Sequence, residues 1–237
     1  MLKIERADKH IADFKQRLLT SSDRYGPSFH MDGNTGEKFL YYGLDDRYLR
    51  SDLALITGDA IHNLRSALDI AWGEIVNTVG KPSTYTKFPI SSTKPRNWLE
   101  SVLAKGAGID PTSRMFDFIV NHVKCYQGGD RDILALHDLD INDKHRLLIP
   151  MVAVTGITGV ELENEDGSID IFDIVLTRDN PYRLGVGLET KLKNHGEVRF
   201  WVTFGKGTPT ESLQIIPTLE EFSGKVWKLI RQLERMK

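Results

Sequence analysis

The chain has 237 residues, enough to bury a sizeable core, and its 31 Lys and Arg nearly match 33 Asp and Glu, for a formal net charge of −2. That balance excludes a global field that would draw the protein onto duplex DNA or an anionic membrane, and leaves room for a local basic groove. A lone cysteine, Cys125, excludes an intramolecular disulfide and a multi-cysteine zinc site, and the longest apolar run, near 147–154, is well short of the roughly 20 residues of a membrane-spanning helix.

The first 19 residues alternate charge with apolar positions and carry no uninterrupted hydrophobic stretch of the secretion-signal kind, so a cytoplasmic location is expected. Ile4, Ala7, Ile11, Phe14 and Leu18 recur three and four apart, which predicts an amphipathic helix stopped by Gly26-Pro27. Residues 28–31 and 38–42 flank the turn-forming group Asp32-Gly33-Asn34-Thr35-Gly36 and predict a short hairpin. A long helix follows from Asp45 or Asp52 to Val79, ended by Gly80-Lys81-Pro82, with Leu53, Ala60, Leu64, Ala67, Leu68, Ala71 and Ile75 as its buried stripe. Two shorter helices are expected, one near 96–103 and one opened by Asp110 as N-cap with Pro111 in its first turn, turning Phe116, Ile119, Val120 and Val123 inward. Gly128-Gly129 predicts a turn into a further helix from Asp130 to about His145.

Beyond Arg146 the pattern changes to strand-like runs at 147–154, 169–176, 182–188 and 198–204, separated by Gly, Asn and Asp clusters. Alternation of Val198, Phe200, Val202 and Phe204 with Arg199, Trp201 and Thr203 predicts an antiparallel sheet with one covered face. Thr218-Leu219-Glu220-Glu221 has the form of a capping box and opens a terminal helix with Leu219, Phe222, Val226, Leu229, Ile230 and Leu233 on one side. The fold class expected is α+β: one domain over 1–237, helical over residues 1–146 apart from the hairpin near 28–42, β-rich over residues 147–216, and closed by a C-terminal helix over residues 218–236.

Two polar constellations stand out. On the long helix, Asp59, His62, Asn63, Ser66 and Asp69 fall opposite the apolar stripe with Arg65 at the border, and the pairs His62/Ser66 and Arg65/Asp69 are four apart. A solvated face with an Arg65–Asp69 ion pair accounts for this spacing, but Ile70 sits in the middle of the arc and calls for an apolar cover, either another helix or a second subunit. The second constellation is Leu136 to Arg146, in which His137, Asp140 and Lys144 share one helical face and Asp138 and His145 another. Its acidic-to-basic order suits the helix dipole. Its His and Asp spacing also suits a divalent metal, and the His137-Asp138 dipeptide resembles that of HD-type phosphohydrolases. Gly128-Gly129-Asp130 is read as a turn and N-cap, Cys125 as a buried structural thiol, and the four tryptophans as core or interface anchors.

These stretches resemble an uncharacterised group of bacterial proteins that pairs a motif like HNLRSALDH with a later one like LHxLDxxDKHRLL. The matching residues are His62 to Asp69 and Leu136 to Leu148, and Phe88-Pro89-Ile90 and Tyr126-Gln127-Gly128-Gly129 are similar to stretches of the same group. The first motif also resembles the signature of HEPN modules, an arginine followed after four residues by a histidine. Those modules are helical and commonly dimeric, and many cut RNA without metal. Ile70 stands here where that histidine is expected, and isoleucine transfers no proton. The resemblance implies a HEPN-like bundle with an appended antiparallel sheet, binding RNA, a nucleotide or a protein partner, with a homodimer in keeping and neither a cofactor nor a membrane involved. The ligand-binding candidates are His62, Asn63, Arg65, Asp69, His137, Asp140, Lys144, His145 and Arg146. A metal-dependent phosphohydrolase using His62, His137, Asp138 and His145 is one alternative, and a non-enzymatic interaction protein with the motifs locking helices together is another.

Overall fold

The computed structural model describes residues 1–21, 27–42, 47–79, 86–145, 151–175 and 182–236. In chain order the elements are α1 (Leu2–Ser21), β1 (Ser28–Met31), β2 (Lys38–Tyr42), α2 (Arg47–Val79), α3 (Arg96–Ser101), α4 (Arg114–Asp117), α5 (Arg131–His145), β3 (Met151–Glu163), β4 (Ile169–Ile174), β5 (Tyr182–Val186), β6 (Lys191–Thr203) and α6 (Ile215–Glu234). The fold is α+β, as the patterning predicts. Two compact units divide it: Met1–Phe14, Leu53–Ile149 and Phe204–Lys237 form one, and Lys15–Asp52 and Pro150–Thr203 the other.

The first unit is helical. Ile4, Ala7, Ile11 and Phe14 of α1, Leu53, Leu64, Leu68, Trp72 and Ile75 of α2, and Leu219, Phe222, Val226 and Leu233 of α6 are all buried, which makes the predicted stripes core faces, save that on α2 Ala71 is half-buried and Trp72 beside it is buried instead. Trp72 meets Phe88 edge-to-face at 5.6 Å between ring centroids. Polar ties join the helices: Ser223 Oγ donates to Asp8 Oδ1 at 2.6 Å, and Lys225 Nζ donates to Asp130 Oδ1 and Asp132 Oδ2, both at 2.7 Å.

Helix starts differ from the sequence expectation at two places. Asp110 does not cap a helix. Its carboxylate accepts from the backbone and hydroxyl of Thr112 in a turn, and Ser113 caps α4 by accepting from Phe116 N–H. Helix α6 begins three residues before Thr218, with Pro217 inside its first turn, where a missing N–H costs nothing, and Thr218 Oγ1 donates back to the Gln214 carbonyl. Asp130 does cap α5, accepting from the N–H groups of Asp132 and Ile133 at 3.0 Å each. The π-helical segments Val102–Gly106 and Phe118–Val123 continue α3 and α4.

The second unit holds two antiparallel three-stranded sheets among the described residues, ordered β1-β2-β5 and β4-β3-β6. The predicted hairpin is present, and its β2 pairs with β5, so it belongs with the later strands. Tyr42 links the sheets by donating to the His195 carbonyl at 3.3 Å, Lys38 Nζ donates to the carbonyls of Leu188 and Thr190 at 2.8 Å each, and Phe172 stacks on Tyr182. Burial pushes the Tyr42 phenol up to about 12. Strands β3 and β6 run longer than the sequence suggests because glycines that look like turn punctuation lie inside them: Gly156 and Gly159 at register shifts within β3, and Gly196, with φ 76°, within β6. Residues 147–150 of the first strand-like run and 176 of the second lie outside the described residues.

Candidate functional site

Within the helical unit, α2 and α5 face each other along an antiparallel polar seam. Gly58 lies against the Asp143 carboxylate, His62 Nδ1 meets Asp140 Oδ1 at 3.0 Å, and Arg65 Nε donates to His137 Nδ1 at 3.5 Å. The positions 58, 62 and 65 on one helix and 143, 140 and 137 on the other step by three and four, the spacing that keeps a contact row on one helical face. Gly58 is what permits the first contact, since a Cβ there would overlap the carboxylate of Asp143.

Arg65 is buried and fully engaged. Its guanidinium pairs with Asp69 one turn later, donates to the Phe88 carbonyl at 2.9 Å and reaches His137 through Nε. Asp69 completes a ring by accepting from Phe88 N–H at 2.8 Å. The segment after α2 is thereby held at both its donor and its acceptor by one ion pair. Asp138, turned away from this ring, accepts from Ser92 Oγ at 2.8 Å and ties the following loop to α5. Ser91 N–H donates to the Cys125 carbonyl and Gln127 N–H to the Lys94 carbonyl, so the loop that follows Phe88-Pro89-Ile90 is tied to residues 125–127 ahead of α5. The roles of Phe88 and Ser92 are not readable from sequence as site chemistry, because the first acts through its backbone and the second is one of many loop serines.

His62 is the solvent-facing member, with its side chain 49% exposed over an Asp140 carboxyl that is 5% exposed. With Nδ1–H donating to Asp140, the Nε2 lone pair turns toward Ser66 Oγ, 3.4 Å away. Asn63 stands apart. It donates to the Asp59 carbonyl and accepts from Lys3 Nζ of α1, so it does not join the seam. Lys144 and His145 fall in the last turn of α5 with side chains outside the described residues, and Arg146 lies outside them altogether. Ile70 is 52% exposed and lines a cavity of about 600 Å³ with Met1, Leu2, Ala67 and Ile230; α1 and α6 flank it without closing over it, so among the described residues no helix supplies the expected cover. Among the described residues no group of three or more His, Cys, Asp or Glu side chains is arranged to hold a metal ion.

Burial, followed by the Arg65 guanidinium, lowers the His137 pKa from its ordinary value, which keeps the ring neutral and able to accept from Arg65. A histidine lowered in the folded state takes up its proton more readily in the unfolded one, so its contribution to stability is present above the unfolded pKa and is lost as pH falls. The melting temperature should therefore decline as pH is lowered from about 7 to about 5, and His137→Gln should flatten that limb, as followed by circular dichroism. Cys125 is fully buried, and burial pushes its thiol up to about 12, in keeping with a structural role.

Comparisons of this chain with protein-family models, with curated proteins and with solved structures return no match.

Proposed function

We propose that the chain is a HEPN-like binding module without ribonuclease activity, in which the two motifs form an internal latch and His62 with Ser66 makes the outward contact to a single-stranded RNA. The observation that supports this reading is the position of Arg65. A metal-free ribonuclease needs an arginine free to stabilise charge on the reacting phosphate, and this guanidinium is buried on Asp69, the Phe88 carbonyl and His137. Ile70, at the place of the motif histidine, has no proton to give.

A second reading, proton transfer at His62, is favoured by the alignment of buried Asp140, His62 and Ser66, in which a carboxylate orients the imidazole and leaves Nε2 as a base. One experiment separates the two. End-labelled single-stranded RNA is incubated with the full chain in the presence of chelator, with gel-shift binding measured in parallel. The binding reading expects intact RNA, and a His62→Ala variant that stays folded by circular dichroism but has lost affinity. Strand scission that disappears in His62→Ala would establish the second reading instead. Intact RNA with no binding would remove both.

A further inference from the structure

Away from the seam, the helical unit carries a basic, aromatic-walled groove. The segment Phe118–Val123 and the outer face of α6 enclose a cavity of about 510 Å³, within the range of small-ligand sites. Lys228, Arg231 and Arg235 line it at steps of three and four, placing three cations along about 10 Å of helix. None of the three has a carboxylate within ion-pairing distance among the described residues. Lys225, at one end, differs from them: Asp130 and Asp132 hold it at 2.7 Å each and offset its charge. In a chain of net charge −2, this concentration of positive charge is local.

Aromatic surface lies beside the cations. Trp227 is 38% exposed, with the Arg231 guanidinium 4.3 Å from its ring centroid, and Phe118 stacks on His122 in the opposing segment at 6.0 Å and 22°. A purely apolar ligand would leave three cations in a concavity without counter-charge. A bare inorganic anion would leave the aromatic faces wet. A planar aromatic group carrying several negative charges uses both.

We infer that this groove binds a nucleoside polyphosphate, the base lying against Trp227 and Phe118 and the phosphates meeting Lys228 and Arg235. The site shares no residue with the α2–α5 seam and does not depend on RNA contact at His62.

Isothermal titration of the full chain at low ionic strength, with ATP, adenosine and tripolyphosphate as separate probes, tests it. ATP should bind one per chain, with adenosine and tripolyphosphate each weaker by about tenfold or more, and Lys228→Gln, Arg235→Gln and Trp227→Ala should each weaken ATP by about tenfold. Lys228→Arg should retain most of the affinity, and His62→Ala should leave it unchanged, which separates this site from the RNA contact proposed above. The groove side chains are exposed, so the Trp227, Lys228 and Arg235 variants should melt with the wild type. The inference is overturned if ATP does not bind, if tripolyphosphate binds as tightly as ATP, or if the glutamine variants bind ATP as well as the parent does.

Discussion

Replacing Arg65 by alanine lowers stability by about 3 kcal/mol, a fall in Tm of roughly 10 °C for a chain of this size. The loss has two sources. Asp69 is left as a charge beside the α2 surface without its counter-ion, and the buried Phe88 carbonyl loses its donor. Lysine should not rescue the variant, because a point charge with one flexible amine cannot serve a carboxylate, a carbonyl and an imidazole set at fixed angles as a planar guanidinium does. Removing both charges, as in R65M/D69N, should cost less than R65A alone, since nothing charged is then left unpaired. Differential scanning calorimetry of the three variants is the measurement. Wild-type melting in R65A would mean that the ring through Phe88 does not hold the helices.

Gly129→Ala should be comparably damaging, at about 3 kcal/mol. A Cβ at Gly129 would run into the Lys124 carbonyl and come within 2.9 Å of the Tyr126 carbonyl, both of them backbone atoms that cannot swing aside. Lys124 itself is left-handed, at φ 54°, and its carbonyl accepts from Asp130 N–H at 2.9 Å, so the whole turn feeds the N-cap of α5. Pushing it open would disturb that cap and with it the start of the helix that carries His137 and Asp140. The neighbouring glycine supplies the control. Gly128 has φ +79° but open space around its Cβ position, so Gly128→Ala should cost only about 1 kcal/mol. Urea melts that give equal values for the two would refute the steric argument.

The amphipathic stripes of α1, α2 and α6 are legible in the sequence because a helical period repeats over many residues and each stripe finds a buried face. Strand extents are less so. Gly156, Gly159 and Gly196 read as turns, yet they mark register shifts and a positive φ inside long strands, a distinction that depends on the partner strand. At the candidate site, residue types and the i, i+4 pairs are readable, whereas exposure is not. Arg65, expected to face a ligand, is buried, and Ile70, expected to lie under a helix or a second subunit, has no helix closed over it among the described residues. Helical spacing gives an angle around one axis, but the neighbour that occupies that angle comes from elsewhere in the chain, here α5 and Phe88. The groove on α6 has no sequence signature because its cations recur on an ordinary amphipathic helix, and only the opposing Phe118–Val123 segment makes a concavity of them.

The polar seam between α2 and α5 also carries information about alignment. Two apolar helix faces can slide past each other by a turn and still find grease against grease. Here such a slip would set His62 opposite His137 and Arg65 opposite Ile133, and would bring Asp140 to Gly58. Each mispairing leaves a buried polar group without its complement. The seam thus acts as a vernier, admitting one setting of α5 along α2. That setting places Asp140 under His62 and leaves the imidazole upright at the surface.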